Sequence, residues 1–100
     1  MSDMVEALIT ITMPVAGQPD CPDWDGGRKV TVIPKTLTLY YRPGHLGAAR
    51  AEVTGPWKPS RPGIHYDSPG NMTVLFYDTD PECWPTWVRD LEAQYQPQVA

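Results

Sequence analysis

Between Lys29 and Arg42 the chain reads "KVTVIPKTLTLYYR", its densest run of β-branched and aromatic residues, with a proline near the centre. Val30 and Val32 fall on even positions, whereas Leu37, Leu39 and Tyr41 fall on odd ones, so the apolar face changes parity across Pro34. Side chains alternate strictly along a strand, so a parity change needs an inserted residue or a reversal of direction. Proline has no amide hydrogen for a ladder and is tolerated in sheets at bulges and edges. The run is therefore either one strand bent by a β-bulge or a hairpin turning at Ile33-Pro34-Lys35-Thr36, and both commit this part of the chain to β-structure.

Weaker strand patterns flank it. From Ala7 to Met13 the order sets Ile9, Ile11 and Met13 on one side and Thr10 and Thr12 on the other, a half-buried strand that Pro14 ends. "AGQPDCPDWDGG" is dense in Gly, Pro and Asp and reads as a long loop, anchored by Trp24 folding back on the core. After "RPGHLGA", Ala49, Ala51 and Val53 alternate with Arg50, Glu52 and Thr54 in an edge-like strand. "NMTVLFY" is apolar at both parities, Met72, Val74 and Phe76 against Leu75 and Tyr77, which predicts a central strand buried on both sides. Ser68-Pro69-Gly70 supplies the Pro-Gly centre of a type II turn joining it to "GIHYD" in a hairpin.

The closing segment changes period. Trp84, Val88, Leu91 and Tyr95, with Trp87, form an apolar stripe at helical spacing, and Arg89, Asp90, Glu92 and Gln94 take the opposite face. Asp80 stands as an N-cap before Pro81, and Glu82 adds negative charge at the positive end of the dipole. Pro85 would remove a hydrogen bond from a helix begun at Pro81, so the regular helix is expected to start near Pro85 after a single turn, with "QPQVA" as a frayed tail. The expected architecture is α+β, an antiparallel sheet of four to five strands packed on one C-terminal helix, in a single domain over residues 1–100.

A chain of 100 residues can bury one core and has little room for a separate catalytic lobe. No apolar run approaches the roughly 20 residues that cross a bilayer, and "MSDMVEALITITMPV" lacks the basic start and small-residue cleavage site of an export signal. A cytoplasmic protein without membrane contact is expected, with Cys21 and Cys83 kept as thiols. These cysteines with His45 and His65 make up a zinc ligand set, but none lies within four residues of another, so no metal or cofactor is expected.

Charge is segregated along the chain. Residues 1–25 carry five acids and no base; residues 28–61 carry seven bases against Glu52; from Asp67 onward there are six acids and one base, Arg89. The favoured reading is that basic middle strands pair with acidic flanks in the fold. The competing one is a basic face for an anionic partner.

Several motifs point to chemistry. "DCPDWDGG" hints at a calcium loop, but with Asp23, Asp25 and Gly26 in register, Cys21 and Val32 fall where the first and twelfth ligands belong. His65 and Asp67 stand two residues apart, the raw material of general-base catalysis, without any accompanying nucleophile motif. In "GPWKPSRPGIHYDSPG", the stretch "PWKPSR" satisfies Pro-x-x-Pro-x-Arg, a polyproline II pattern. Pro56, Pro59 and Pro62 stiffen this segment, so Trp57, Lys58 and Arg61 would be displayed with little ordering entropy left to lose. Trp57 as a cap on the core is the more ordinary role.

In its richness in Pro, Trp, Asp and Arg, with the ending "YDTDPECWPTWVRDLEAQYQP", the chain resembles short uncharacterised proteins of high-GC bacteria and their phages. The resemblance is compositional and implies no site and no activity. The function expected from the residues is a small non-catalytic interaction module that binds another protein or itself through Trp57, Lys58, Arg61 and Tyr66. The alternative is a nucleic-acid-associated factor using Lys29, Lys35, Arg42, Arg50 and Tyr40, against which the pI near 4.9 counts. A small hydrolase-like enzyme using His65 with Asp67 comes third.

Overall fold

The structure is a computed structural model that describes residues 8–25, 27–59 and 70–99. It contains β1 (Ile9–Pro14), β2 (Cys21–Asp25), β3 (Arg28–Val32), β4 (Thr36–Tyr41), β5 (Ala48–Pro59), β6 (Asn71–Tyr77), a 3₁₀ turn (Pro81–Cys83) and α1 (Thr86–Val99). The architecture is α+β, an antiparallel sheet with one C-terminal helix. The six strands run in the order β1-β4-β5-β3-β2, with β6 on the other edge of β5.

The parity change at Pro34 is a bulge. Val32 pairs with Trp57 and Thr36 with Thr54, so three residues, Ile33 to Lys35, stand opposite two, Gly55 and Pro56. The extra residue lets Val30 and Val32 share the buried face with Leu37, Leu39 and Tyr41. The amides on either side keep their partners, Ile33 N–H donating to the Pro56 carbonyl at 2.8 Å and Lys35 N–H to that of Thr54 at 3.0 Å. Pro34 lies between them, fully buried. β3 and β4 thus form one bent strand along β5, and no hairpin turns at Pro34.

The outer arm, β1 and β2, follows the same bend at a larger radius. Six residues, Val15 to Asp20, stand opposite the three of the bulge and are thrown outward as a loop. Val15 N–H ties its start to the Lys35 carbonyl at 2.9 Å, and Gly17 turns the chain at φ +96°, where a Cβ would be strained.

Cross-strand rows build one apolar face. Met13, Leu37, Val53 and Val74 form one row; Ile11, Leu39, Ala51 and Phe76 form the next. A third, Cys21, Val32 and Trp57, continues past the bulge. α1 lays Trp87, Val88, Leu91 and Tyr95 against this face. Leu37, Leu39, Val53 and Val88 are wholly buried, each contributing about 2 kcal/mol by removal from water. The Tyr41 hydroxyl crosses to the helix and donates to the Glu92 carbonyl at 2.8 Å, and the Trp84 indole N–H donates to that of Tyr77 at 2.8 Å.

The helix begins as the prolines require, with a single 3₁₀ turn at Pro81–Cys83 and α1 starting after Pro85. The Pro85 carbonyl accepts from Val88 and Arg89, each at 3.0 Å, while its missing N–H is not needed. Asp80 makes no side-chain cap, and the helix continues through "QPQV" to Val99 instead of fraying.

Four further expectations are corrected. "CPDWD" is a strand, not loop: it pairs antiparallel with β3 from Cys21 opposite Val32 to Asp25 opposite Arg28. Trp24 faces away from the core and is 64% exposed. β5, read as an edge, is the hub of the sheet, pairing with β3, β4 and β6. β6 is not central: it pairs with β5 alone among the described strands, and Leu75 and Tyr77 are 45% and 46% exposed on its outer face. The proposed hairpin partner "GIHYD" lies outside the described residues.

Gly55 is where the bulge tests the sequence. A Cβ there would run into the Ile33 carbonyl oxygen and stand 2.9 Å from its carbon, both backbone atoms that cannot swing aside. Gly55→Ala is expected to lower the unfolding free energy by about 3 kcal/mol, the upper end of overpacking costs. Gly70→Ala, with open space around its Cβ, should be within about 0.5 kcal/mol of wild type. Urea titration of both variants checks this, and equal midpoints would show that the carbonyl does not seat on Gly55.

Candidate functional site

The loop thrown out by the bulge forms one wall of a cleft of about 670 Å³. Gln18, Pro19, Asp20 and Pro22 line this side, with Cys21 beneath them. The facing wall comes from β6 and the helix start, where Phe76, Cys83, Pro85 and Trp87 are joined by Thr86 and Asp90. Pro19 and Pro22 supply rings to the first wall and Phe76, Pro85 and Trp87 to the second, and the charged groups among these residues, Asp20 and Asp90, are both carboxylates. Phe76 is steadied by Trp84, ring centroids 6.4 Å apart at 50°.

Electrostatics at the cleft floor favour a neutral thiol. Burial pushes the Cys21 thiol from 9.0 up to about 11, and the negative charges of Asp20 and Asp23 add to the effect. A thiol held protonated is a poor nucleophile, so the floor is chemically quiet near neutrality. Cys83, exposed on the 3₁₀ turn, is also a free thiol. The Tyr41 hydroxyl is raised too, first by burial and then by the charge and hydrogen bond of Glu92.

The residues expected to meet a partner divide in two. Trp57 is half-buried and packs against the core from the Cys21–Val32 row. Lys58 is exposed, its ammonium 3.7 Å from the Asp20 carboxylate at the cleft wall. Arg61 and Tyr66 lie outside the described residues, as do His65 and Asp67. Pro56 to Pro59 belong to β5, so that part of "PWKPSR" is paired β-strand and not a polyproline II helix.

The alternative set is largely engaged with carboxylates. The Arg42 guanidinium donates to Asp78 at 2.8 Å. Arg50 stacks over the Tyr40 ring at 4.2 Å, with its Nε 3.4 Å from Glu52. That Nε contact is an ion pair too long or misaligned to count as a hydrogen bond. The Tyr40 hydroxyl donates to Glu52 at 2.8 Å, and this hydrogen bond is the main cause of its raised pKa. Lys29 and Lys35 are exposed. Arg42 and Lys58 therefore meet acids of the flanking segments, as the charge pattern favours, whereas Arg50 meets Glu52 of its own strand.

Among the described residues no group of three His, Cys, Asp or Glu gathers as a metal site, and no helix is long and apolar enough to cross a membrane. Comparison of the chain with protein-family models, with curated proteins and with solved structures finds no match.

The two thiols give a direct check of this geometry. A folded-state pKa raised above the unfolded value means that the Cys21 contribution to stability is complete below pH 9 and is lost as pH rises toward about 11. Tyr41 acts in the same direction from pH 10 upward. The unfolding free energy should fall as pH rises above 9, less steeply at first in Cys21→Ala. At neutral pH a thiol reagent should label Cys83 rapidly and Cys21 at the rate of opening; equal labelling rates would contradict the burial of Cys21.

Proposed function

We propose that the chain is a non-catalytic protein-interaction module whose partner-binding surface is the cleft and the adjoining end of β5. The observation that carries this reading is the cleft itself. Its volume of about 670 Å³ is within the range of roughly 300–1,000 Å³ typical of binding sites. Its walls are proline and aromatic rings that lose little entropy on binding, and its carboxylates set the sign of the charge it prefers. An apolar side chain beside a Lys or Arg satisfies all three features. The quiet Cys21 thiol argues for binding over bond-making.

Lys58 now occupies the Asp20 carboxylate, and the side chains of this pair are 58% and 43% exposed. Exposed ion pairs exchange readily, so a partner's cation can take the place of Lys58 at little cost. Trp57 supports this end from beneath through its contact with the core. Arg61 and Tyr66 follow in sequence and complete the proposed contact set. The partner is another polypeptide or a second copy of the chain.

Selection of a displayed random-peptide library against the folded protein tests the proposal. Enriched peptides should combine a Trp, Phe or Leu with a neighbouring Lys or Arg. Thr86→Arg, at an exposed position in the cleft wall, should weaken their binding at least about tenfold, or about 1.4 kcal/mol. Lys58→Ala, which releases Asp20, should leave it unchanged or stronger. Failure to enrich any peptide, or affinities indifferent to Thr86→Arg, would sink the reading.

A further inference from the structure

Three strands border the described sheet, β1 and β2 along one edge and β6 along the other, and β1 and β6 are not equivalent. In antiparallel pairing every second residue gives its amide to the neighbouring strand and the intervening residues point theirs away. Val15 N–H donates to the Lys35 carbonyl, so Met13, Ile11 and Ile9 turn their amides toward β4, and Thr10, Thr12 and Pro14 occupy the outward positions. Pro14 blunts that edge, having no N–H to offer. On β6, Asp78 N–H donates to the Ala49 carbonyl at 3.1 Å, which turns Phe76, Val74 and Met72 toward β5. The amides of Asn71, Thr73, Leu75 and Tyr77 then point outward.

"NMTVLFY" has no proline and no charge, and its pairing with β5 has no bulge. Among the described strands nothing covers its outer edge. Leu75 and Tyr77 stand 45% and 46% exposed beside it. An edge without any of these guards is a template for another strand.

We infer that the β6 edge is the seam of a two-fold dimer, in which β6 of a second copy pairs antiparallel to it with Val74 opposite Val74. The commitment to a second copy rests on self-complementarity. The outward amides all belong to odd-numbered residues, so a two-fold pair must bring odd to odd. Centring on Val74 does so and overlaps the whole strand from Asn71 to Tyr77. Thr73 then exchanges backbone hydrogen bonds with Leu75, and Tyr77 N–H donates to the Asn71 carbonyl, the Tyr77 carbonyl being held within its own chain by Trp84 and Asp80. Met72 meets Phe76 on the inner face, extending the apolar rows of each copy into the other. The strand is neutral, so two chains of net charge −4 meet along it with no like charges opposed. The inference is independent of the cleft and of its proposed role.

Sedimentation equilibrium over a concentration series, with amide hydrogen exchange on the same samples, tests it. The wild-type chain should sediment at twice its 11.2 kDa mass, with the amides of Thr73, Leu75 and Tyr77 protected. Leu75→Lys and Thr73→Pro should both be monomers of unchanged circular dichroism that lose this protection. Thr12→Lys, on the opposite edge, should remain a dimer. A wild-type monomer at every concentration overturns the proposal, and protected β6 amides in that monomer would show that the chain covers its own edge. A dimer that survives both β6 variants overturns it as well.

Discussion

The inner face of this sheet is a continuous apolar surface because a backbone carbonyl stands where position 55 would otherwise carry a side chain. The Ile33 carbonyl packs onto Gly55, and that close approach lets three residues pass opposite two without breaking the hydrogen bonds on either side. Without the inserted residue, either Val30 and Val32 or Leu37, Leu39 and Tyr41 would face outward. The outer arm, meeting the same bend, carries six residues where the inner arm has three. Those residues supply Gln18, Pro19 and Asp20 to the cleft, so the bulge that orders the core also shapes the candidate site.

Charge follows the same geometry. Arg42 and Lys58 reach carboxylates of the acidic flanks, Asp78 and Asp20, and Arg50 reaches Glu52 two residues along its own strand. Those at the sheet surface are individually worth little, on the order of 0–1 kcal/mol. Their effect is on the surface potential, because paired bases no longer present a bare positive face. At the cleft the balance differs: Asp90 joins Asp20 in the lining, and the long, exposed Lys58 answers Asp20 from its rim. The preference proposed for a cationic partner rests on this local imbalance more than on the net charge.

Much of the fold was legible in residue order. The parity change across Pro34 marked the site of a bulge or a turn, which the strand register resolves as a bulge, and the pair of prolines at 81 and 85 located the start of the regular helix. Alternation failed where proline and aspartate disguised a strand: in "CPDWD" the turn-forming composition outweighed the neighbouring Gly-Gly, the better hairpin signal. It failed again for β5 and β6 because burial depends on neighbours in the sheet, which residue order does not record. Ala49, Ala51 and Gly55 are small since β5 lies beneath the helix and beside the bulge, not because it is an edge. The cleft was hidden for the same reason. Its walls join residues 18–22 to residues 76–90, and nothing local in either segment signals the other.

Element lengths explain why a cleft stands at this place. β5 has 12 residues and so extends about 40 Å, whereas α1, with 14 residues, extends about 21 Å. One helix cannot cover the inner face of so long a sheet at any crossing angle. α1 settles over the rows that contain Leu37, Leu39 and Tyr41, fixed there by the Tyr41–Glu92 hydrogen bond and, through the preceding turn, by Trp84. The Cys21–Val32–Trp57 row lies beyond that support, and its apolar side chains need another cover. Trp57 provides part of it by lying against the core, and the proline loop and helix start provide the rest from opposite sides without meeting. The gap between them is therefore a consequence of covering a 12-residue strand with a 14-residue helix, and an apolar side chain placed in it would remove from water the exposed parts of the proline and aromatic rings that line it.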